Sequence, residues 1–269
     1  MLLKDRVAIV TGSAMGIGRG IALRFAEEGA DVVIADVAVA EGEKTAAEVT
    51  ARGRQGVFIR CDVTDSRQVN DLVQQTVDRF GKIDIMVNNA GGVPEVTRGG
   101  SIVDITDEKW QRFLALNLSS QFYFCRAVVP HMKKAGYGKI VNVSSIGVVQ
   151  PSDSVIHYHA AKAGVLGLTQ NLAFDLAPHG ICVNSIMPGP IRTPFWENVT
   201  RGMPEDAKEA LFAKIARDAV PMNRIGTPDD IAGAALFLAS ELSAYVTGVN
   251  ICVAGGIPLL PHDPERKDH

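Results

Sequence analysis

Short apolar runs alternate with longer amphipathic segments along most of this chain. The runs are rich in valine and isoleucine, which is typical of strands buried on both faces of a parallel sheet. The sequence predicts seven such strands, near Val7–Val10, Asp31–Ala35, Val57–Cys61, Ile83–Asn88, Gly138–Val143, Ile181–Ile186 and Asn250–Val253. Strands that alternate with helices favour an α/β fold, here a doubly wound parallel sheet of seven strands with helices on both faces.

The amphipathic segments predict helices at about residues 16–29, 40–52, 66–80, 107–135, 156–177 and 228–239. The stretch Pro188–Gly226 breaks the alternation. We expect one or two short helices there, forming a candidate lid above the sheet edge where ligands bind. This organisation predicts a single domain over residues 1–257, with the lid at about 190–225 and a C-terminal tail at 258–269.

Composition narrows the function. The 269 residues carry 46% hydrophobic and 21% charged side chains and a formal charge of −3, an ordinary balance for a soluble globular protein without the basic excess of nucleic-acid binders. Charges at residues 4–6 interrupt the apolar start, so no secretory signal is expected, and no apolar run approaches the ~20 residues that span a bilayer. The four scattered cysteines favour free thiols in the cytoplasm over a disulfide or metal framework.

The first predicted strand runs directly into a glycine-rich turn that opens a helix. Gly12, Gly16 and Gly18 lie in this turn. Glycines there let the backbone approach a pyrophosphate, and the free N–H groups of the helix start favour its negative charge. The spacing is GxxxGxG rather than GxGxxG, and glycine-rich turns also occur by chance, but the strand before and the helix after favour a dinucleotide site.

Asp36 ends the second predicted strand, 18 residues after Gly18. A carboxylate at this place can accept hydrogen bonds from both adenosine ribose hydroxyls, and it would repel a 2′-phosphate. No arginine or lysine that could bind such a phosphate occupies the nearby positions Ser13, Ala14, Met15 and Val37. The sequence therefore predicts NAD(H) rather than NADP(H) as the cofactor.

With these features the chain resembles the short-chain dehydrogenase/reductase family over about residues 4–256. TGSAMGIG resembles the family's cofactor turn, NNAG at 88–91 its fourth-strand motif, YHAAK at 158–162 its YxxxK motif and PGPIRT at 188–193 its carboxamide-binding segment. The resemblance implies a Rossmann-type fold and hydride transfer between a nicotinamide cofactor and a hydroxyl or carbonyl group. One departure is that Gly147 follows Ser145 by two residues, where the family often has a glycine at three, which leaves the shape of this loop open.

The resemblance also implies a set of cofactor contacts. Asp62 and Val63 are expected at the adenine, residues 89–91 at its ribose, and Ile191 and Thr193 at the carboxamide. The full expected set is Gly12, Ser13, Met15, Gly16, Ile17, Gly18, Asp36, Asp62, Val63, Asn89, Ala90, Gly91, Tyr158, Lys162, Pro188, Gly189, Ile191 and Thr193.

Tyr158 and Lys162 are four residues apart at the start of a predicted helix, so their side chains share one face. A free tyrosine has a pKa of about 10, and a neighbouring ammonium should lower that pKa and suit the phenol to acid/base work near neutral pH. An isolated YxxxK would be an ordinary helix. The resemblance adds that Lys162 bonds the nicotinamide ribose hydroxyls.

Ser145 precedes Tyr158 by 13 residues, at the end of a predicted strand that should bring it to the same edge. Its hydroxyl can bond the substrate oxygen. Ser144 is the competing residue, and the family spacing selects Ser145. By resemblance, Asn117 completes the catalytic set by holding a water that links Lys162 to solvent, although an asparagine inside a helix often forms only a local bond.

Flanking Tyr158, His157 and His159 should point to different faces of a helix, and no cluster of ligands completes a metal site, so no metal is expected. They are expected to pack structurally or to line the mouth of the pocket. The lid is rich in apolar and aromatic residues, which favours a small or cyclic, mostly apolar secondary alcohol or ketone. The expected substrate contacts are Ser145, Gln150, Tyr158 and Trp196.

Alternatives remain at this point. A reductase of carrier-bound oxoacyl chains shares the chemistry but generally prefers NADPH and displays basic residues for an acidic carrier, where this chain has Asp36 and His179. A nucleotide-sugar epimerase usually has a larger C-terminal domain. A non-catalytic dinucleotide sensor would have no need of Ser145, Tyr158 and Lys162 together. The helices at 107–135 and 156–177 carry more apolar surface than one sheet face requires, and the family pairs them across two-fold axes, which predicts a homotetramer.

Overall fold

In the computed structural model, which describes residues 1–93, 101–151, 155–196, 200 and 202–259, seven strands form one parallel sheet. The strand order is β3-β2-β1-β4-β5-β6-β7. The strands are β1 (Val7–Thr11), β2 (Asp31–Asp36), β3 (Gly56–Arg60), β4 (Ile85–Asn88), β5 (Gly138–Val143), β6 (Ile181–Pro188) and β7 (Asn250–Val253). The predicted fold class is confirmed.

Helices cover both faces of this sheet. They are α1 (Gly16–Glu27), α2 (Val39–Thr50), α3 (Ser66–Phe80), α4 (Asp107–Leu114), α5 (Ser120–Ala135), α6 (Ile156–Leu176), α7 (Glu205–Ala219) and α8 (Pro228–Ala239). The predicted helix at 107–135 consists of α4 and α5 joined by a π-helical turn, Ala115–Ser119. No helix among the described residues is long and apolar enough to cross a membrane.

Successive residues of the central strands face two separate apolar layers. Val10 and Ile34 point into a layer that α1 and α8 cover, and Ile9 and Val33 into a layer that α3, α5 and α6 cover. Because both faces are buried, these strands read as continuous apolar runs instead of alternating ones.

The strand order reverses at β1, which lies between β2 and β4. The chain winds outward from β1 to β3 and then returns across the sheet to β4. At such a reversal the loops after the neighbouring strands diverge and leave a crevice at their carboxyl ends. The loops after β1 and β4 border this crevice and carry the glycine-rich and NNAG motifs.

The region expected to contain short helices is more ordered than the sequence indicated. Within it α7 alone has 15 residues, longer than expected because Phe212 and Ala216 bury one side of the helix. A parallel bridge between Ile191 and Gly226 closes the base of this excursion. Of the predicted tail, residues 260–269 lie outside the described part of the chain.

Candidate active site

The glycine turn (Gly12–Gly18) leaves no room for side chains at its closest approach. Gly12 and Gly16 have φ angles of +61° and +57°, in the left-handed region that favours glycine. A Cβ atom at Gly18 would lie 2.2 Å from the carbonyl oxygen of Gly12 and 2.6 Å from Nδ2 of Asn89. Met15 precedes α1 and contributes no side-chain hydrogen bond to its first turn. The narrow backbone and uncapped helix start fit a bound pyrophosphate.

The NNAG motif holds this turn at the crevice. The Asn89 amide donates to the carbonyl oxygens of Thr11 and Gly12 at 2.9 and 3.0 Å. The Thr11 hydroxyl accepts hydrogen bonds from the backbone N–H groups of Asn89 and Ala90, both at 3.0 Å. Thr11 was missed in the sequence analysis, and its position directly before Gly12 is the signal that could have identified it.

Asn88 has a different environment from its neighbour. Its amide donates to Oδ1 of Asn142 at 2.8 Å, and the Asn142 amide donates to the Thr169 hydroxyl at 3.0 Å. All three side chains are buried, so this network joins β4, β5 and α6 inside the core.

The Asp36 carboxylate lies against the glycine turn. Its two oxygens accept hydrogen bonds from the backbone N–H groups of Ala14 and Ala38 at 3.0 and 3.1 Å. Ser13 is fully buried and its hydroxyl donates to the Val10 carbonyl oxygen at 2.6 Å. Asp36 is therefore held at the end of β2, beside the turn.

Further along the same edge, the Asp62 carboxylate accepts hydrogen bonds from the backbone N–H and the hydroxyl of Thr64 at 2.9 and 2.7 Å. Val63 is buried, and Met15 and Ile17 are at least partly exposed. Asp62 and Val63 follow β3, whereas Met15 and Ile17 lie at the glycine turn after β1.

The structure separates the two serines that follow β5. Ser144 is buried and its hydroxyl donates to the Lys162 carbonyl oxygen at 2.8 Å. Ser145 is half-buried, begins a 3-10 turn (Ile146–Val148) and accepts a hydrogen bond at Oγ from the Gly147 N–H at 3.1 Å. A side-chain hydrogen bond also links Ser145 with Tyr158. We call Ser144–Val148 the serine loop.

Tyr158 departs from the sequence expectation in one respect. Burial raises its pKa above the ordinary value by disfavouring the phenolate, and the hydrogen bond with Ser145 offsets only part of that rise. Lys162 was expected to lower this pKa, but its own ammonium is desolvated: burial lowers the pKa of Lys162 to about 7. Its Nζ lies 5.8 Å from the Tyr158 ring centroid and donates to the Val143 carbonyl oxygen at 2.8 Å.

Asn117 belongs to the same cluster although it lies in the middle of a long helical segment. The π-helical turn between α4 and α5 buries its side chain, which accepts a hydrogen bond from the Gly92 N–H at 2.8 Å and donates to the Gly92 carbonyl oxygen at 3.0 Å. A Cβ atom at Gly91 would lie 2.7 Å from Oδ1 of Asn117 and 3.0 Å from Nζ of Lys162. Single π-helical turns are frequent at functional sites.

The chain beyond β6 crosses the crevice. A Cβ atom at Gly16 would lie 3.4 Å from Cβ of Thr193, and one at Gly92 would lie 3.8 Å from the Phe195 ring. The Trp196 indole N–H donates to the Ile191 carbonyl oxygen at 2.8 Å, and its ring meets Phe212 edge-on at 5.6 Å. This lid segment (Ile191–Trp196) therefore lies close to both the glycine turn and Gly92.

The remaining predicted residues take varied positions. Pro188 and Gly189 end β6, and a Cβ atom at Gly189 would lie 2.7 Å from Cα of Ala254. Gln150 is exposed and its backbone N–H donates to the Ile146 carbonyl oxygen. Within the predicted lid, residues 197–199 and 201 lie outside the described part of the chain.

The two histidines beside Tyr158 point to different faces, as their spacing predicted. His157 is buried and stacks on Phe113 with ring centroids 3.7 Å apart. His159 is half-buried, and its imidazole packs against Gly147 of the serine loop. Among the described residues no group of three or more histidine, cysteine or acidic side chains could hold a metal ion.

Comparison with known proteins gives a consistent result. The family described as Enoyl-(Acyl carrier protein) reductase matches residues 12–258. The (2S)-[(R)-hydroxy(phenyl)methyl]succinyl-CoA dehydrogenase subunit BbsD of Thauera aromatica is 39% identical over 256 residues, 95% of this chain and 98% of that protein. The 3-oxoacyl-[acyl-carrier-protein] reductase of Thermotoga maritima is 37% identical, covering 96% and 99%. The crystal structure of a levodione reductase superposes with a TM-score of 0.88 at 34% identity, covering 94% and 98%.

Proposed function

Since the chain belongs to the short-chain dehydrogenase/reductase family, we propose that it is an NAD(H)-dependent oxidoreductase that interconverts a small or cyclic, mostly apolar secondary alcohol and its ketone. The observation that carries the proposal is the convergence of Ser145, Tyr158 and Lys162 on one edge of the sheet, next to a turn too narrow for side chains. A non-catalytic dinucleotide sensor would have no use for this convergence.

The bound cofactor supplies the hydride chemistry, and the chain supplies position and proton control. During oxidation Tyr158, as its phenolate, takes the proton of the substrate hydroxyl and becomes the phenol, and during reduction the phenol gives that proton to the carbonyl oxygen. Ser145 Oγ accepts from the Gly147 N–H, which leaves the serine O–H to donate to the substrate oxygen. Stabilising the developing alkoxide in this way favours the transition state.

In this proposal Lys162 binds the cofactor and holds or releases a proton. Its Nζ lies between the Val143 carbonyl oxygen and the backbone of Gly91, where a nicotinamide ribose hydroxyl can join it. Because burial lowers the pKa of Lys162 to about 7, the amine can hold or release a proton near neutral pH. Asn117, anchored to Gly92, stabilises the neighbouring backbone.

The preference for NAD(H) rests on Asp36. Its carboxylate lies at the glycine turn with backbone N–H groups on both oxygens, where an adenosine ribose can bind and a 2′-phosphate would meet like charge. A carrier-bound oxoacyl reductase is the competing function, since one such enzyme is 37% identical to this chain.

Two observations support the substrate class. Phe195, Trp196 and Phe212 form a run of edge-on aromatic contacts in and behind the lid segment. The name of the Thauera aromatica relative carries a hydroxy(phenyl)methyl group, a carbinol beside an aromatic ring. We therefore propose that the substrate's carbinol carbon carries a compact apolar or aromatic group.

The experiment measures kcat/KM for cyclohexanol, 1-phenylethanol and an acetoacetyl thioester with NAD(H) and NADP(H), by absorbance of the reduced nicotinamide. We expect NAD(H) and an alcohol to be preferred, and Asp36→Ser with Val37→Arg to shift the preference toward NADP(H). A wild-type preference for NADP(H) and the thioester would favour the oxoacyl reductase. Tight NADH binding with no turnover of any probe would favour the sensor.

Assembly and location complete the proposal. Phe122 on α5 and Phe174 on α6 are exposed in the single chain, at 43% and 85%, and we propose that α5 and α6 pair with other copies in a homotetramer. The molar mass from light scattering at micromolar concentration tests this, and a monomer would contradict it. The four free cysteines favour a reducing compartment such as the cytoplasm.

A further inference from the structure

His159 joins two parts of the site that belong to different elements, the helix α6 and the serine loop. It lies on the first turn of α6, directly after Tyr158, and its backbone N–H donates to the Val155 carbonyl oxygen at 3.0 Å. A Cβ atom at Gly147 would lie 2.2 Å from Nε2 of His159, 2.6 Å from Cδ2 and 3.1 Å from Cε1. The edge of the imidazole therefore rests on the backbone of Gly147, with no space between them for a methyl group.

Gly147 in turn controls Ser145. Its N–H donates to Ser145 Oγ at 3.1 Å and so fixes one lone pair of the hydroxyl that hydrogen-bonds with Tyr158. Movement of Gly147 would rotate or release the Ser145 side chain. The imidazole blocks movement of Gly147 toward α6, because the ring already contacts the Gly147 backbone.

From this geometry we infer that His159 is a positioning residue, which acts through Gly147 to set the Ser145 hydroxyl against Tyr158. Tyr158 and His159 are consecutive residues of α6. The distance between the hydroxyls of Ser145 and Tyr158 therefore depends on this one helix. This inference rests on the proposed function, since it assumes that Ser145 and Tyr158 act together on the substrate.

The same contact explains the unusual position of the glycine in the serine loop. A residue with a side chain at 147 would drive the His159 ring away, whereas Val148, one position later, is partly buried. In this chain the glycine therefore lies at position 147, the position in the serine loop that faces α6. Burial also lowers the pKa of His159, because it disfavours the charged imidazolium.

The experiment is a double-mutant cycle between His159→Ala and Ser145→Ala, with His179→Ala as a matched control on the 3-10 turn that precedes β6. Kinetics use 1-phenylethanol or cyclohexanol with NAD+. We expect kcat to fall roughly 100-fold for Ser145→Ala and roughly tenfold for His159→Ala, with KM for NAD+ changed less than about twofold. Because both act through one hydroxyl, the double variant should be no slower than Ser145→Ala alone.

A second readout needs no substrate. In protein labelled at tyrosine Cζ, with the Tyr158 signal assigned by Tyr158→Phe, Ser145→Ala should shift that carbon resonance. His159→Ala should shift it in the same direction, and His179→Ala should leave it in place. Gly147→Ala is a second variant for the case that His159→Ala folds poorly. Its methyl group would displace the His159 ring, so it should reproduce both the kcat loss and the spectral shift.

The outcomes separate the two proposals. Full activity of Ser145→Ala would overturn the proposed role of the serine and this inference with it. An impaired Ser145→Ala combined with a fully active His159→Ala, or with strictly multiplicative losses in the double variant, would overturn the inference alone. An unshifted Tyr158 resonance in His159→Ala would also overturn the inference alone.

Discussion

The glycine turn and the serine loop lie at the same edge of the sheet, but different contacts hold them. Backbone atoms and the Asn89 amide surround the glycine turn, so its shape depends on where side chains are absent. The serine loop depends on contacts with α6: the Ser144 hydroxyl donates to the backbone carbonyl oxygen of Lys162, and the His159 ring packs on Gly147.

This difference has a consequence for mutation. Added atoms should damage the glycine turn most, because the atom nearest to a Cβ at Gly18 is the Gly12 carbonyl oxygen, which belongs to the backbone and cannot rotate away. Removed atoms should have the largest effect at the serine loop and the start of α6, because Ser145, Tyr158 and Lys162 each act through a single hydroxyl or amine group. The expected results below test this contrast.

The largest effect is expected at the tyrosine. Tyr158→Phe removes one hydroxyl and keeps the ring, so kcat should fall by ~10² to 10⁴ because a general acid/base is lost. NADH affinity, measured by fluorescence, should change little because the glycine turn is untouched. A variant that retains more than about a tenth of the wild-type kcat would show that another group moves the proton.

The second largest effect is expected at Gly18, in the glycine turn. Gly18→Ala would place a methyl group 2.2 Å from the Gly12 carbonyl oxygen. Overpacking of this kind costs ~1–3 kcal/mol, or roughly 5- to 150-fold in the Kd of NADH if the turn distorts. Calorimetric titration with NADH measures this change.

Gly233→Ala is the matched control for Gly18→Ala, since Gly233 also lies in a helix and no described atom is within 4 Å of its Cβ position. It should leave NADH binding unchanged and stabilise the fold by ~0.5–1 kcal/mol through helix propensity. Equal Kd values for the two variants would contradict the idea that the glycine turn is sensitive to added atoms.

Lys162 should reveal its burial through the pH dependence of stability. Its pKa in the folded chain is about 7, against 10.5 for the unperturbed amine. Between these values the unfolded chain binds more protons, so this lysine makes stability rise with pH by up to about 1.4 kcal/mol per unit, and the contribution is flat below about pH 7. Urea unfolding at several pH values measures the slope.

Lys162→Met supplies the comparison for that slope because it removes the titrating group and keeps much of the volume. The free energy of unfolding of wild type minus that of Lys162→Met should increase from neutral to alkaline pH. Two parallel curves would mean that the buried amine keeps its ordinary pKa in the folded chain.

The smallest effect is expected at Ser144. Ser144→Ala removes the hydrogen bond to the Lys162 carbonyl oxygen and should lower the free energy of unfolding by about 1 kcal/mol. Since its hydroxyl points into the core, kcat should remain within about threefold of wild type. A loss of kcat as large as that of Ser145→Ala would reverse the assignment of the two serines.

Much of this site could be located from local pattern. The strand ends near Val10, Asp36 and Asn88 follow from apolar runs, and parallel strands bring their carboxyl ends to one edge. The helical spacing of Tyr158 and Lys162 placed them on one face before any contact was known.

Other features could not be read from the chain. The predicted helix at 107–135 contains a π-helical turn, and there the side chain of Asn117 bonds to Gly92, 25 residues away. The pKa of Tyr158 is raised because surrounding groups bury it, although a lysine stands four positions on. Both results depend on atoms that residues distant along the chain bring together.

The sequence by itself determined the strand and helix periodicity, the glycine turn with its following helix, and the tyrosine–lysine pair, because each depends on neighbouring residues and on backbone geometry. The tertiary structure decided which serine meets Tyr158, which histidine supports the serine loop, and how burial changes the pKa values of Tyr158 and Lys162. Those outcomes depend on through-space contact and desolvation, which exist only once the sheet and helices have packed.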